Sequence, residues 1–353
     1  DIDALLGDVR GIVESGWLSQ GAFVGRLEAE SLGWTGARHA IALSNCSDGV
    51  TAALTVLCSR GDEVVLPAYT YLATWAAIRW AGMIPVVVDV TADGMIDPVA
   101  VEAAIGPRTA AVVPVHLAGA PAPMEALRVI AQRHGIRLIA DGAHAFGART
   151  TSGPVGSDGD AEVFSIGATK QLGAGEGGLV VVRDDDAAVR LRRFALQGHE
   201  PGSMDAVDLG MNLRLTELVA ALALRNLEGL EIQLERRQQI HDRYVGAYRD
   251  LPLRLSASKP DERSAHKDQL VWLDDPADRT PIRRHLQGLG IETRPYYEVA
   301  VPDLTAFEGR VESADLGRDL ASRSFAIPIH ARLTDADVDR IVDGIASYYG
   351  VGG

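Results

Sequence analysis

Phe164-Ser165-Ile166-Gly167-Ala168-Thr169-Lys170-Gln171-Leu172-Gly173-Ala174-Gly175-Glu176-Gly177-Gly178 runs from an apolar stretch through a lysine into a dense glycine cluster, and Leu179-Val180-Val181-Val182 follows. A lysine in that setting is a solvated loop charge, a phosphate ligand, or an amine that condenses with a carbonyl. Lysine is scarce in this chain. Lys170, Lys259 and Lys267 are the only three, and the other strongly basic side chains are all Arg. A lysine kept in an arginine-biased chain favours chemistry that needs an amine able to lose its proton. Gly173-x-Gly175-x-x-Gly178 matches the spacing of a dinucleotide-binding loop, but that loop requires a helix after it. A β-branched run follows here. The glycines therefore read as a tight turn between strands, which opposes a nucleotide-dependent oxidoreductase.

Outward from this stretch, residues 37 to 185 alternate short β-branched runs with helical patterns. The predicted strands are Ala40–Ser44, Glu63–Leu66, Ile84–Val90, Ala110–Val115, Arg137–Ala140, Ala161–Ser165 and Leu179–Val182. Helical windows lie between them at Asp48–Ser59, Thr70–Ala81, Pro98–Ile105 and Pro123–His134. Strands alternating with helices predict an α/β fold, with a mostly parallel seven-stranded sheet covered on both faces. After Asp208 the character changes: Leu218, Leu222, Leu224, Leu227, Leu230 and Leu234 mark one long helix over 215–248. Short strands at Leu253–Leu255 and Gln269–Leu273, further helices and a closing helix at Asp335–Tyr348 complete the chain. The expected organisation is a large α/β domain over residues 1–248 and a small α+β domain over 249–353.

With 353 residues, 47% hydrophobic and 23% charged, the chain has an ordinary globular composition. Its net charge of −14 and lack of a basic stripe exclude a nucleic-acid surface. The two cysteines, Cys46 and Cys58, sit among small or apolar residues, which fits a reducing compartment. No apolar run reaches the ~20 residues of a membrane span. The first residues, Asp1-Ile2-Asp3-Ala4-Leu5-Leu6, show no signal-peptide pattern. They lack an initiator Met, so the expectation is a cytoplasmic protein whose given sequence begins inside the gene product.

Three further segments carry candidate chemistry. Asn45-Cys46-Ser47-Asp48 follows a strand and opens a helix, so it is either a plain N-cap by Ser47 or Asp48 or an anion site of free N–H groups. Asp141-Gly142-Ala143-His144 follows Leu138-Ile139-Ala140. A parallel sheet binds ligands outside the carboxyl ends of its strands, which is where Asp141 falls, although Asp is also a common N-cap. Pro67-Ala68-Tyr69-Thr70-Tyr71 puts two aromatics at another strand end, as core or as a stacking surface for a flat ligand. The nine histidines are scattered, and no metal-ligand spacing appears.

Taken together, these segments resemble the fold-type I pyridoxal phosphate enzymes, and more closely the DegT/DnrJ/StrS family of sugar and cyclitol aminotransferases. The resemblance covers nearly the whole chain. It rests on Glu14-Ser15-Gly16-Trp17-Leu18, Thr35-Gly36-Ala37-Arg38-His39-Ala40-Ile41-Ala42-Leu43, Gly61-Asp62-Glu63-Val64 and Pro114-Val115-His116-Leu117-Ala118-Gly119. It continues through Gly175-Glu176-Gly177-Gly178, Leu209-Gly210-Met211-Asn212-Leu213-Arg214-Leu215-Thr216-Glu217, Gly290-Ile291-Glu292-Thr293-Arg294-Pro295 and Ile327-Pro328-Ile329-His330.

The resemblance implies that Lys170 is the Schiff-base lysine and Asp141 the carboxylate that pairs with the pyridine nitrogen. It implies that His144 contacts the ring hydroxyl and Tyr71 stacks on the ring. Cys46, Ser47 and Ser165 correspond to the phosphate cup, and Asn212 to an asparagine that reaches the phosphate of a neighbouring subunit in a homodimer. Cys46 stands where a small Gly or Ala is commoner. His266-Lys267-Asp268-Gln269 stands in place of the family's histidine-containing stretch. Arg294, Tyr296 and Tyr297 are candidates for substrate contact, with a packing role the alternative.

The implied activity is transfer of an amino group from an amino acid, glutamate by preference, to a keto-sugar, nucleotide-linked by preference. The setting would be bacterial amino-sugar or antibiotic biosynthesis. The alternatives within the fold are a cyclitol aminotransferase and an aminohydroxybenzoate-type synthase. The family's sugar dehydratases replace the lysine with His, which disfavours them here. A non-enzymatic pyridoxal phosphate-binding regulator would need a DNA-binding module, and the sequence offers none.

Overall fold

The computed structural model describes residues 1–200 and 202–351. Two helices, α1 (Ile2–Ser15) and α2 (Ala22–Thr35), lead into β1 (His39–Leu43), α3 (Cys46–Leu57), β2 (Glu63–Pro67), α4 (Leu72–Trp80) and β3 (Ile84–Val88). Next come α5 (Pro98–Ala104), β4 (Thr109–Val112), α6 (Met124–His134) and β5 (Arg137–Asp141). A small hairpin of β6 (Arg149–Thr150) and β7 (Gly153–Pro154) precedes β8 (Ala161–Ser165) and β9 (Gly178–Val182). Every predicted strand of this region is present, with ends within a few residues of expectation.

Seven of these strands, all but the β6–β7 hairpin, join β13 (Arg310–Val311) in an eight-stranded sheet of order β1-β9-β8-β5-β4-β2-β3-β13. β9 pairs antiparallel with both neighbours, and the other strands run parallel. Seven strands were expected. The eighth, β13 (Arg310–Val311), comes from the C-terminal part of the chain and pairs parallel to β3. Two residues are too few for a periodic signal, which is why the pattern did not show it. β2, β8 and β9 are buried along their whole length. Helices cover both faces of the sheet, so its strands read as continuous apolar runs. The strand after Gly178 confirms that the glycine run is an inter-strand turn and no dinucleotide loop.

The single long helix expected over 215–248 is two helices, α8 (Glu217–Glu228) and α9 (Leu230–Ala247). Gly229, at φ −100° and ψ 7°, separates them. Glycine is a poor helix interior residue, and here the leucine spacing concealed the break. Beyond α9 a four-stranded sheet has the order β10 (Leu253–Leu255), β11 (Gln269–Leu273), β14 (Ser324–Ile327), β12 (Arg294–Pro295), all pairs antiparallel. α10 (Arg279–Gly288) and α12 (Asp335–Tyr348) pack Ile282, Leu286, Val338, Ile341 and Ile345 against Val271 and Phe325 of this sheet. Among the described residues no helix is long and apolar enough to cross a membrane.

Gly178 marks a close approach between the first residue of β9 and the β1–α3 turn. A Cβ there would lie 2.5 Å from the Asn45 carbonyl oxygen and 2.8 Å from the Cys46 nitrogen. Both are backbone atoms, so no side chain can swing away. Gly178→Ala is therefore expected to destabilise the fold by about 1–3 kcal/mol, the usual range for overpacking. Urea unfolding measures this, and an unchanged midpoint would show that the turn has slack.

Candidate active site

The carboxyl ends of β5 and β8, the start of α3 and the loop before α4 converge on a small cleft with a cavity volume of about 130 Å³. Its lining includes Cys46, Ser47, Tyr71, Asp141, His144, Ser165, Lys170 and Tyr297. Eight of the eleven residues expected from the sequence thus meet in one place, although they are scattered over more than 250 positions in the chain.

Lys170 sits in a turn that its glycines make possible. Its N–H donates to the Gly167 carbonyl at 2.8 Å, its own carbonyl accepts from Gly173 at 3.0 Å, and Ala168 N–H donates to Gly175 O at 2.7 Å. Gly175 holds φ +97°, a region that side chains disfavour. Of the three lysines, Lys259 pairs with Glu262 and Lys267 with Asp268. Lys170 has no ion pair among the described residues. Burial pushes its pKa down, while Asp268, Cys46 and Asp141 oppose the shift. An amine in this state gives up its proton more readily than a surface lysine and is a better nucleophile.

Asp141 closes β5. Its carboxylate accepts from the Thr74 hydroxyl at 2.8 Å and from Ala143 N–H at 3.0 Å. The N-cap alternative does not hold, because residues 142–147 form turns and no helix. His144 is buried, and desolvation, helped by the charge of Lys170, pushes its pKa well down, so it is neutral at pH 7. The Tyr296 hydroxyl lies 3.1 Å from its Nδ1. With that hydroxyl as donor, the ring proton sits on Nε2.

The cap of α3 is Asn45, in place of the expected Ser47 or Asp48. Its side-chain oxygen accepts from Asp48 N–H at 2.8 Å, and its amide donates to the Asp48 carboxylate at 2.6 Å. Capping by Asn45 leaves the N–H groups of Cys46 and Ser47 at the start of a twelve-residue helix, beside Ser165 across the cleft. Free N–H groups at the positive end of a helix dipole suit a phosphate. Burial, with the charge of Asp141 adding, pushes the Cys46 thiol well up. It is a neutral wall here, with no reactive thiolate. Tyr71 precedes α4 with 53% of its surface exposed, and its ring centroid lies 5.9 Å from that of Tyr297.

Three expected residues fall outside the lining. Tyr296 is buried behind it, against His144. Arg294 lies on β12, where its guanidinium donates to the Asp268 carboxylate. Asn212 is exposed, in an isolated bridge with Leu196, and does not join the cleft of its own chain. Thr74 went unnoticed in the sequence. Its only signal is the i, i+4 pairing of Thr70 and Thr74, whose hydroxyls lie 3.4 Å apart.

Among the described residues no cluster of three or more metal-ligating side chains occurs. The donor set instead fits a flat heteroaromatic aldehyde that carries a phosphate. It offers an unpaired amine, a fixed carboxylate, an exposed aromatic ring and a helix N-terminus. Residues 2–346 match the DegT/DnrJ/EryC1/StrS aminotransferase family.

The chain belongs to that family.

It is 30% identical to the spore coat polysaccharide biosynthesis protein SpsC of Bacillus subtilis (strain 168), with 96% of this chain and 92% of SpsC aligned. Similar solved structures include DesV of S. venezuelae in complex with a ketimine intermediate, at TM-score 0.94 and 32% identity over 99% of this chain and 95% of DesV. DesI in the presence of its TDP-sugar product has TM-score 0.91 and 33% identity over 99% of this chain and 91% of DesI. The protein is thus a pyridoxal phosphate-dependent aminotransferase of fold type I, in a family that includes sugar aminotransferases.

Thr74 supplies a testable part of the site. Its hydroxyl donates to a buried carboxylate, a class of bond that contributes about 1.5–3 kcal/mol. Thr74→Val is expected to lower the stability of the cofactor-free protein by that amount in urea melts, and Thr74→Ser to retain most of it. A loss in Thr74→Ser with none in Thr74→Val would instead assign the effect to packing of the methyl group.

Proposed function

We propose that this aminotransferase moves an amino group from an amino acid, glutamate by preference, to a keto-sugar carried on a nucleotide. The observation that carries the reading is the unpaired, desolvated Lys170 amine, which faces Asp141 and His144 in the cleft. The similarity to SpsC, DesV and DesI favours a sugar acceptor and amino-sugar biosynthesis, with an antibiotic pathway as one setting. The cytoplasm is the proposed location.

In this reading the α3 N–H groups of Cys46 and Ser47, with the Ser165 hydroxyl, hold the cofactor phosphate. Tyr71 covers one face of the ring. Asp141, fixed by Thr74 and Ala143, keeps a proton on the ring nitrogen, and neutral His144 donates from Nε2 to the ring hydroxyl. Bound pyridoxal phosphate supplies an aldehyde for amine exchange and an electron sink. Lys170 acts as base and then acid, taking a proton from the substrate carbon and returning it. Its lowered pKa leaves more of the amine unprotonated near neutrality, as a base requires.

We further propose a homodimer with shared active sites, residues 1–248 and 249–353 acting as its two domains. Support comes from apolar side chains left on the surface near Asn212. Met204 is 95% exposed and Leu209 82%, with Trp17 and Leu18 on a segment hydrogen-bonded to Glu217. In this arrangement Asn212 reaches the partner's phosphate site, which explains its absence from its own cleft.

Two outcomes test the proposal. Lys170→Ala is expected to abolish both the visible cofactor absorbance and turnover with glutamate and a panel of nucleotide keto-sugars. Unchanged transamination in that variant, or wild-type transfer to keto-inositols alone, would contradict it. The pair Met204→Glu and Leu209→Glu is expected to yield monomers in sedimentation velocity. A dimer of unchanged affinity would place the interface elsewhere.

A further inference from the structure

The segment Ser264–Gln269, which leads into β11, lies buried between the two sheets. Ala265 N–H donates to Gly119 O at 2.9 Å and Lys267 N–H to Ala118 O at 2.8 Å. A Cβ on Gly119 would lie 2.8 Å from the His266 nitrogen, so the contact needs glycine there. From α9, buried Arg237 donates to His266 O at 2.7 Å and to Ile329 O at 2.8 Å. On this rigid segment Lys267 Nζ donates to both Asp268 oxygens at 3.0 Å, and Arg294 of β12 donates to the same carboxylate. The Lys267 and Asp268 side chains keep 4% and 9% of their surface.

Burying such charges costs desolvation that apolar side chains would avoid, so the triad contributes little to stability for its own sake. Its location gives it another use. β12 has only two residues, and Arg294 ties it sideways to Asp268. The chain then continues into Tyr296, whose hydroxyl meets His144, and Tyr297, which walls the cleft.

We propose that Asp268 is a positioning residue for amine transfer: anchored by Lys267, it holds Arg294 and the Tyr296–Tyr297 corner in place against the cleft that contains Lys170. This rests on the function proposed above and names a residue that acts through Lys170 without touching substrate. The groups facing Asp268 are Lys267 on its own segment, Arg294, Tyr296 and Tyr297 from β12 and its continuation, Arg237 from α9, and His144 and Lys170 from the large sheet's carboxyl edge. Burial alone would push the Asp268 carboxyl up. The charge of Lys267 leads the opposing effects and holds it below the usual carboxylate range. Burial pushes Lys267 down to about 8. It also pushes Lys170 down, and among the neighbouring charges Asp268 opposes that most. Removing the Asp268 charge must therefore lower the pKa of Lys170 further, so its amine is unprotonated at lower pH.

The test follows the reactivity of Lys170 against pH in the cofactor-free full chain, by reductive methylation and peptide mass spectrometry, with exposed Lys259 as internal control. Asp268→Asn is expected to raise Lys170 methylation about tenfold on the low-pH side, a shift of its curve to lower pH, with Lys259 unchanged. Asp268→Glu is expected to restore the wild-type curve. Loss of one charge from the buried Lys267–Asp268 pair can unfold the chain. The paired replacement Lys267→Met with Asp268→Leu, which leaves neither a buried amine nor a buried carboxylate of the pair, is therefore measured beside it. In the loaded enzyme, the low-pH limb of kcat for the amino-donor half-reaction is expected to move down by the same shift. Amine transfer in the wild type with a Lys170 curve unmoved in both variants would overturn the role of Asp268 alone. No amine transfer by the wild type would overturn the functional reading, and this role with it.

Discussion

A partly buried lysine amine that has no ion-pair partner among the described residues is the constraint on which the rest of this structure depends. Ammonium is strongly hydrated, and moving it into a protein cleft favours the neutral form. Most buried lysines avoid this cost by pairing, as Lys267 does with Asp268. Among the described residues Lys170 forms no ion pair, and burial lowers its pKa although Asp268 and Asp141 oppose the shift. The surrounding fold holds that amine on a hydrogen-bonded turn at Gly167–Gly175, set between two buried strands. An unpaired amine of this kind is poised to condense with a carbonyl and afterwards to carry a proton.

The sheet explains why the complementary groups arrive at the same point. Parallel strands send their carboxyl ends to one edge, so β5 delivers Asp141 and β8 delivers Ser165 without special loops. β9 is the exception. It runs antiparallel between β1 and β8, which lets the chain turn back at once after Lys170 and pin the loop that carries it. Gly178, at the start of β9, touches the turn that opens α3. The lysine loop and the proposed phosphate cup are thus two sides of one backbone contact.

The large sheet was legible because its strands are buried on both faces and read as unbroken β-branched runs between helical windows. Asp141 was legible because it directly follows such a run, so position along the chain predicted position at the sheet edge, whereas Cys46, Ser47 and Ser165 were marked out by the family resemblance. Residues whose role depends on distant contacts were not legible. Thr74 bonds to a carboxylate 67 residues away, and nothing local marks it. Asp268 was noticed only as part of an unusual stretch, and its link to Arg294 depends on β11 and β12 being brought together in one sheet with β14 between them. The break at Gly229 escaped because leucine spacing persists through it. Asn212 lies outside the cleft of its own chain.

The most direct test of the central claim is borohydride reduction of the pyridoxal phosphate-loaded protein followed by peptide mapping. The account predicts that the cofactor is fixed to the peptide carrying Lys170 and to no other. Attachment to Lys259 or Lys267, or full recovery of unmodified Lys170, would contradict it.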